Sequence, residues 1–460
     1  MSVSPPRLLT LDACRSRLVQ ARVVAALLVA AAFVNPDRPL PIDLCLFKHL
    51  TGWSCPTCGL TRALCHALRG NWAASLAYHP AGLLLAATLM GWASWLIAEA
   101  GRGHQLAESW RRRLGASAIA AGVVLSVGGW VGVAAQTPDT RAAFLQVIDR
   151  PRVPLAAETR AMADPEPGLA AQHVSFAADR AGRVPALLIK RQGAATRSPV
   201  VILLHGTGGN KEGLSAYLAR FARRGFVAVA IDARYHGERE DRATGMSSTY
   251  EKALARAYTT KGEHPFLYDT VWDVMRLIDY LATRDDVDAS RIGLTGFSKG
   301  GMETYLAAAV DPRITAAVPV RGVQSFGWAL QHGAWDSRAW SIRGAVEDAA
   351  RDAGAGINAA FLRRFYDAVA PGVYSQFDGP AMLPLIAPRP LLVINGDSDP
   401  RTPMAGVRLA ASAAEQAYRR AGSPERFQLH IMENTGHEDT PDVPALVVDW
   451  FARWLQPRTN

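Results

Sequence analysis

Cysteine is almost missing from this chain, and its placement matters more than its number. All five, Cys14, Cys45, Cys55, Cys58 and Cys65, precede residue 66. The remaining stretch therefore has no disulfide scaffold and no thiol nucleophile. Charge is scarce as well: 20% of the 460 residues are charged and 49% are hydrophobic, the balance expected where some of a chain lies in membrane. No internal repeat is present, and the length has room for two or three domains. The formal net charge of +9 is unevenly spread. Residues 1–135 carry 12 Lys/Arg against 5 Asp/Glu, and the rest carries 38 against 36. The basic excess flanks apolar segments, which is the signature of membrane orientation and argues against a nucleic-acid partner.

What the N-terminal part does have is long apolar runs. Three are expected to span: Leu18 to Val34, the weakest, which also fits a signal-peptide core or a buried helix; Pro80 to Ala98; and Gly115 to Ala135, which holds no charge. About 21 residues of helix reach about 30 Å, the thickness of the hydrocarbon. Arg7, Arg15, Arg17 and Arg22 precede the first run, and Arg102 and Arg111-Arg112-Arg113 separate the second from the third. With three spans both groups fall on one side, which the positive-inside rule makes cytoplasmic, so the chain beyond residue 135 is expected on the outer face. Val133-Ala134-Ala135 also fits the small-residue preference of a cleavage site.

The stretch between the first two runs contains Cys45 and Cys55-Pro-Thr-Cys58-Gly-Leu-Thr-Arg62, then Cys65. A C-x2-C pair suits two tetrahedral metal ligands, a redox pair, a disulfide or structural thiols, and the spacing leaves these alternatives open. The C-P-x-C-G-x-T-R signature, with His79-Pro80 after it, resembles a small bacterial membrane family of unknown function over residues 40–100. Residues 136–171 are rich in Pro, Asp and Ala and read as a linker with one short helix at Thr140 to Ile148.

From residue 172 onward, apolar strand runs alternate with amphipathic helices. This is the pattern of an α/β domain whose mostly parallel sheet is covered on both faces. Ligand sites in such sheets lie at the carboxyl ends of the strands, and the chemical residues follow strands. Gly296-Phe297-Ser298-Lys299-Gly300 is a G-x-S-x-G pentapeptide between an apolar strand and an Ala-rich helix, a context that lifts a serine hydroxyl into open space. His205-Gly206-Thr207-Gly208-Gly209 follows the strand from Pro199, and the backbone N–H groups of Thr207 and Lys299 are the candidate donors to an oxyanion. Neither glycine-rich loop has the spacing of a phosphate loop. Gly396-Asp397-Ser398-Asp399 follows the strand from Pro390; Asp399 is favoured over Asp397 as the carboxylate that orients an imidazole, the bland alternative being that both cap the next helix. His437 follows Gly436 on the last loop. The chain order Ser298, Asp399, His437 is the order this strand–turn–helix architecture uses. No metal frame accompanies His437, and no cofactor is expected.

These residues, with Asp232-x-Arg234-x-His236-Gly237, resemble the α/β-hydrolase superfamily, near the dienelactone hydrolase, acetyl xylan esterase and prolyl oligopeptidase catalytic-domain group, from about residue 172 to the end. The resemblance implies a Ser298–His437–Asp399 mechanism. Arg234 and His236, in the turn after the Phe226 strand, read as structural hydrogen-bonders in preference to a direct catalytic role. Lys299 after the nucleophile departs from the usual apolar residue or Gln. The stretch 321–388 is the largest excursion from the sheet pattern. Its aromatics, among them Trp328, Trp335, Trp340, Phe361 and Tyr374, are expected mostly in a small core of their own, with a few lining an apolar pocket. The leading expectation is a multi-pass protein of the bacterial inner membrane: a helical membrane domain over 1–135, then an α/β-hydrolase on the periplasmic face acting on a small-molecule ester. The alternatives are a serine peptidase for short peptides, or a Cys-rich metal- or thiol-handling membrane module joined to an inactive hydrolase.

Overall fold

A computed structural model describes residues 8–33, 60–72, 75, 81–103, 139–180, 182–193, 197–240, 246–260, 264 and 266–456. The chain divides into two compact units, Met1–Thr137 and Pro138–Asn460.

In the first unit, α1 spans Leu11–Phe33, α2 Leu60–Leu68 and α3 Gly82–Arg102. Helices α1 and α3 are long and apolar enough to cross a bilayer. Both leave large apolar side chains uncovered, among them Leu27 and Phe33 on α1 and Met90, Trp92 and Ile97 on α3. Arg17 of α1 pairs with the fully buried Glu99 of α3. An ion pair is the inexpensive way to keep a carboxylate in apolar surroundings. Cys65 is buried, Cys14 half-buried, and both are free thiols. The third apolar run, Cys45, Cys55, Cys58 and the His79-Pro80 pair lie outside the described residues.

The second unit is built on a nine-stranded sheet in the order β1-β2-β3-β5-β4-β6-β7-β8-β9. Its strands are β1 Glu158–Ala161, β2 Leu169–Ala177, β3 Arg183–Arg191, β4 Ser198–Leu204, β5 Val227–Ile231, β6 Val287–Phe297, β7 Ile314–Val320, β8 Leu391–Gly396 and β9 Phe427–Met432. The pairings β1–β2, β2–β3 and β3–β5 are antiparallel, and all the others are parallel. Along β4 the side chains alternate between faces: Val200, Ile202 and Leu204 enter one core, Val201 and Leu203 the other, as a two-residue period requires. The first core is roofed by α4 (Thr140–Ile148), α5 (Tyr268–Leu281) and α6 (Lys299–Val310). The second is closed by helices Ser215–Arg223 and Val443–Leu455. All twelve residues of α6 are buried, as expected of a helix that is apolar nearly all round.

The stretch expected as a linker is structured and belongs to this unit. The helix at Thr140–Ile148 forms, but Phe144 and Ile148 are fully buried in the first core, each burial contributing about 1.5–3 kcal/mol. Arg141 Nε donates to Ala309 O of α6 (2.9 Å), and β1 adds an edge strand to β2. The proline-rich run was misleading because its apolar residues at i and i+4 dock on the sheet. The excursion at 321–388 also departs from expectation. Phe361, Phe365, Tyr366 and Phe377 are part of the main core rather than a separate one. They pack with helix Met246–Thr260, whose Tyr258 ring lies 5.7 Å from both Phe361 and Phe365.

Candidate active site

The parallel strands end at one edge. Leu204 is level with Gly296, Phe297 with Val320, Val320 with Ile394, and Gly396 with Met432. Ser298, the His205–Gly209 loop, the Asp397–Pro403 loop and the loop carrying His437 therefore converge.

Ser298 joins β6 to α6 at φ 55° and ψ −111°, a conformation that costs about 1–3 kcal/mol for a non-glycine residue. The surroundings hold it there: Ser298 N donates to Val320 O (2.9 Å), and Met302 N donates to Ser298 O (3.0 Å). A Cβ at Gly296 would sit 2.5 Å from Gly300 O, and one at Gly300 would collide with the Leu204 carbonyl. The two glycines of the pentapeptide are thus what lets strand, turn and helix close up.

His437 Nε2 lies 2.7 Å from Ser298 Oγ, and His437 Nδ1 lies 2.7 Å from Asp399 Oδ2. Asp399 also accepts from Thr402 Oγ1 (2.7 Å) and Arg401 N (2.8 Å). With a carboxylate on Nδ1, the ring carries its proton there and offers Nε2 as acceptor to the serine hydroxyl. Burial alone would push the Asp399 carboxyl up; the hydrogen bond and charge of His437, with Thr402 and Arg401 N, hold it down to about 2. Burial lowers the His437 pKa, Asp399 opposes that, and the cations Arg338 and Arg401 add to it. Asp397 is exposed and accepts from Ser398 Oγ (2.8 Å) and Thr435 N (3.3 Å) rather than from His437. Neither aspartate caps the following helix, Met404–Arg420.

Of the two candidate oxyanion donors, Lys299 directly follows the serine and Thr207 lines the same cavity. Lys299 is the first residue of α6, so its N–H has no partner within the helix. Among the described residues the Thr207 N–H has no hydrogen-bond partner. The loop bearing Thr207 is shaped by His205, whose Nδ1 bonds Gly206 O (2.8 Å) and whose Nε2 accepts from Ala233 N (3.1 Å). Burial, then the Lys299 charge, holds His205 neutral with a pKa of about 4. The Lys299 side chain itself turns away from the site and pairs with buried Glu303, its ammonium 5.6 Å from the Tyr250 ring centroid. Arg234 pairs with Asp179 (2.5 Å) and His236 Nδ1 bonds Arg234 O (2.8 Å). Asp232 accepts from Lys211 Nζ and Lys211 N, both at 2.8 Å. Among the described residues no group of three or more His, Cys, Asp and Glu is placed to hold a metal ion.

A cavity of about 460 Å³ opens over Ser298 and His437, lined by Gly206, Thr207, Gly209, Phe297, Arg401 and Glu438. None of the aromatics of 321–388 lines it; Trp335 and Trp340 line a separate, mainly apolar cavity of about 250 Å³ with Ala339, Val346 and Ile357, so the expected apolar pocket is present but not over Ser298. Arg401 and Glu438 were not foreseen, although each stands within two residues of Asp399 or His437.

Residues 147–324 match the family described as acetyl xylan esterase (AXE1), and the fold matches solved members of that group. The second unit has an α/β-hydrolase-like fold. The acetyl xylan esterase from Paenibacillus sp. R4 aligns with a TM-score of 0.50 at 22% identity, covering 69% of this chain and 93% of that one. Acetyl xylan esterase 1 from Thermoanaerobacterium sp. JW/SL YS485 aligns at 0.53 and 19% identity, covering 69% and 95%. In sequence, "Putative hydrolase YtaP" of Bacillus subtilis (strain 168) is 23% identical over 286 residues, 59% of this chain and 84% of YtaP. Uncharacterized protein YcjY of Escherichia coli (strain K12) is 34% identical over 143 residues, 31% of this chain and 40% of YcjY. Residues 45–93 match a family described as protein of unknown function (DUF2752). The hydrolase-fold unit is thus acetyl xylan esterase-like, and this similarity supports a carboxylic ester hydrolase.

Proposed function

We propose that this chain is a membrane-anchored serine esterase. Ser298 Oγ attacks the carbonyl carbon of a small ester as His437 Nε2 takes its proton. The oxyanion is received by the N–H groups of Thr207 and Lys299. The C–O bond to the alcohol then breaks as His437 returns the proton to the leaving oxygen, and water repeats the sequence to release the acid from the acyl-enzyme. Asp399 fixes the imidazole tautomer and stabilises its cation. The observation that carries this reading is the unbroken chain of two 2.7 Å contacts from Ser298 Oγ through His437 to Asp399, facing the cavity. Glycines, Thr207 and a single aromatic ring favour a short acyl group, while Arg401 and Glu438 favour a polar alcohol.

In the same proposal residues 1–135 anchor the enzyme through α1 and α3, and the hydrolase faces the periplasm. Their apolar side chains left bare by protein are a fit for lipid. A fluorophosphonate probe applied to the full-length protein in membranes should label Ser298 and abolish p-nitrophenyl acetate hydrolysis. Folded protein that resists the probe and lacks esterase turnover would overturn the assignment. Digestion of the hydrolase unit by protease added to intact spheroplasts tests the orientation, and complete protection there would reverse it.

A further inference from the structure

Two arginines lie under the site with no carboxylate to pair with. Arg321 is fully buried, and Arg338 is 1% exposed. Among the described residues neither forms an ion pair, although elsewhere in the unit partly buried arginines are matched with acids, such as Arg313 with Asp311 and Asp279. An unpaired buried cation is costly, so its bonding pattern is informative. Arg321 immediately follows β7 at φ 51°, and its guanidinium donates to Gly436 O, the carbonyl just before His437. Arg338 Nη2 donates to Arg321 O (3.1 Å) and Gly322 O (3.4 Å). With the buried Gln324 amide oriented to satisfy both neighbours, its oxygen accepts from Arg338 Nε (3.1 Å) and its nitrogen donates to Arg401 O (3.0 Å). Arg401 N in turn holds Asp399 Oδ1. Arg338 is thereby linked to both halves of the dyad, to the acid loop through Gln324 and to the histidine loop through Arg321.

We propose that Arg338 is a positioning residue for the Asp399–His437 pair, and that the excursion at 321–388 works as a strut beneath the site rather than as a lid over it. The inference rests on the serine-esterase reading above. Its electrostatics agree: burial lowers the Arg338 pKa to about 10, with Asp399 the leading charge that opposes the fall. The charged groups acting on His437 are Asp399, Arg338 and Arg401, with Glu438 adjacent in sequence. Removing Arg338 leaves the anion with one cation fewer and lets His437 protonate more readily.

The test uses full-length enzyme, with fluorophosphonate titration counting competent sites. Arg338→Met should lower kcat about 10- to 100-fold, the usual cost of losing an outer partner, with KM changed less than about twofold. The acid limb of its kcat/KM profile should move to higher pH by up to about one unit. Arg338→Lys should restore the limb but only part of kcat, since an ammonium has no planar fork to span three carbonyl oxygens. Gln324→Met keeps the cation and breaks the link to Arg401, so kcat should fall with the limb in place. If Arg338→Met does not fold, the Gln324→Met result decides. Unchanged kcat in Gln324→Met, or an unmoved limb in a folded Arg338→Met, overturns the proposal. Wild-type protein that the probe does not label would sink the esterase reading instead, so the two failures are distinct.

Discussion

Helices α3 and α6 have similar apolar compositions and opposite surroundings. All of α6 is buried in protein, whereas α3 shows Met90, Trp92 and Ile97 about half exposed. Length separates them. The 12 residues of α6 reach about 18 Å, enough for a domain interior, while the 21 of α3 reach about 32 Å, a bilayer's span. An apolar helix announces that something must cover it, and of the two only α3 is long enough for that cover to be a bilayer.

The sharpest test of the contrast is at the head of α6. Ser298→Ala should lower kcat on p-nitrophenyl acetate about 10⁴–10⁶-fold while the protein stays in the membrane fraction, because α3 and α1 are untouched. Next, Asp399→Asn should cost about 10²–10⁴ in kcat by spoiling the imidazole tautomer, and Asp397→Asn less than twofold; equal effects would break the assignment of the acid. In the body of the two helices, Leu306→Ala in α6 should destabilise the hydrolase by about 2–5 kcal/mol in denaturant melts. Leu27→Ala in α1 should leave that transition unmoved, and Leu27→Arg should weaken membrane insertion by about 2.5–3.5 kcal/mol, read by carbonate extraction. The smallest effect is in pH. Because burial lowers the His437 pKa, the neutral base persists to lower pH, and the acid limb of kcat/KM should fall below the ordinary histidine value of about 6.5.

The site was legible to the extent that its residues are adjacent to strand ends. Gly296 and Gly300 mark the turn, the loops after β8 and β9 supply Asp399 and His437, and the preference for Asp399 over Asp397 follows from reach. The support beneath it was not legible, since Gln324 and Arg338 act through carbonyl groups and a carbonyl leaves no trace in sequence. Ring count in 321–388 is blind to direction: Phe361 and Phe365 face the core, while Trp335 and Trp340 line a cavity that Ser298 does not share. Helix Met246–Thr260 did carry a signal. Tyr250, Ala253, Leu254 and Ala257 repeat at helical spacing and are all buried, a signal masked by the stronger motifs on either side of the stretch. In the N-terminal unit, orientation rests on arginine placement alone, and the cysteine signature offers several chemistries that spacing does not separate.

The inward turn of the Lys299 side chain reaches beyond the fold. A position directly after the nucleophile is the first place one would alter to retune selectivity, yet here it is anchored to Glu303 and Tyr250 and faces the scaffold. Diversifying residue 299 would erode folding yield and teach nothing about preference. A library built at 401 and 438 would instead sample the wall that an incoming alcohol meets.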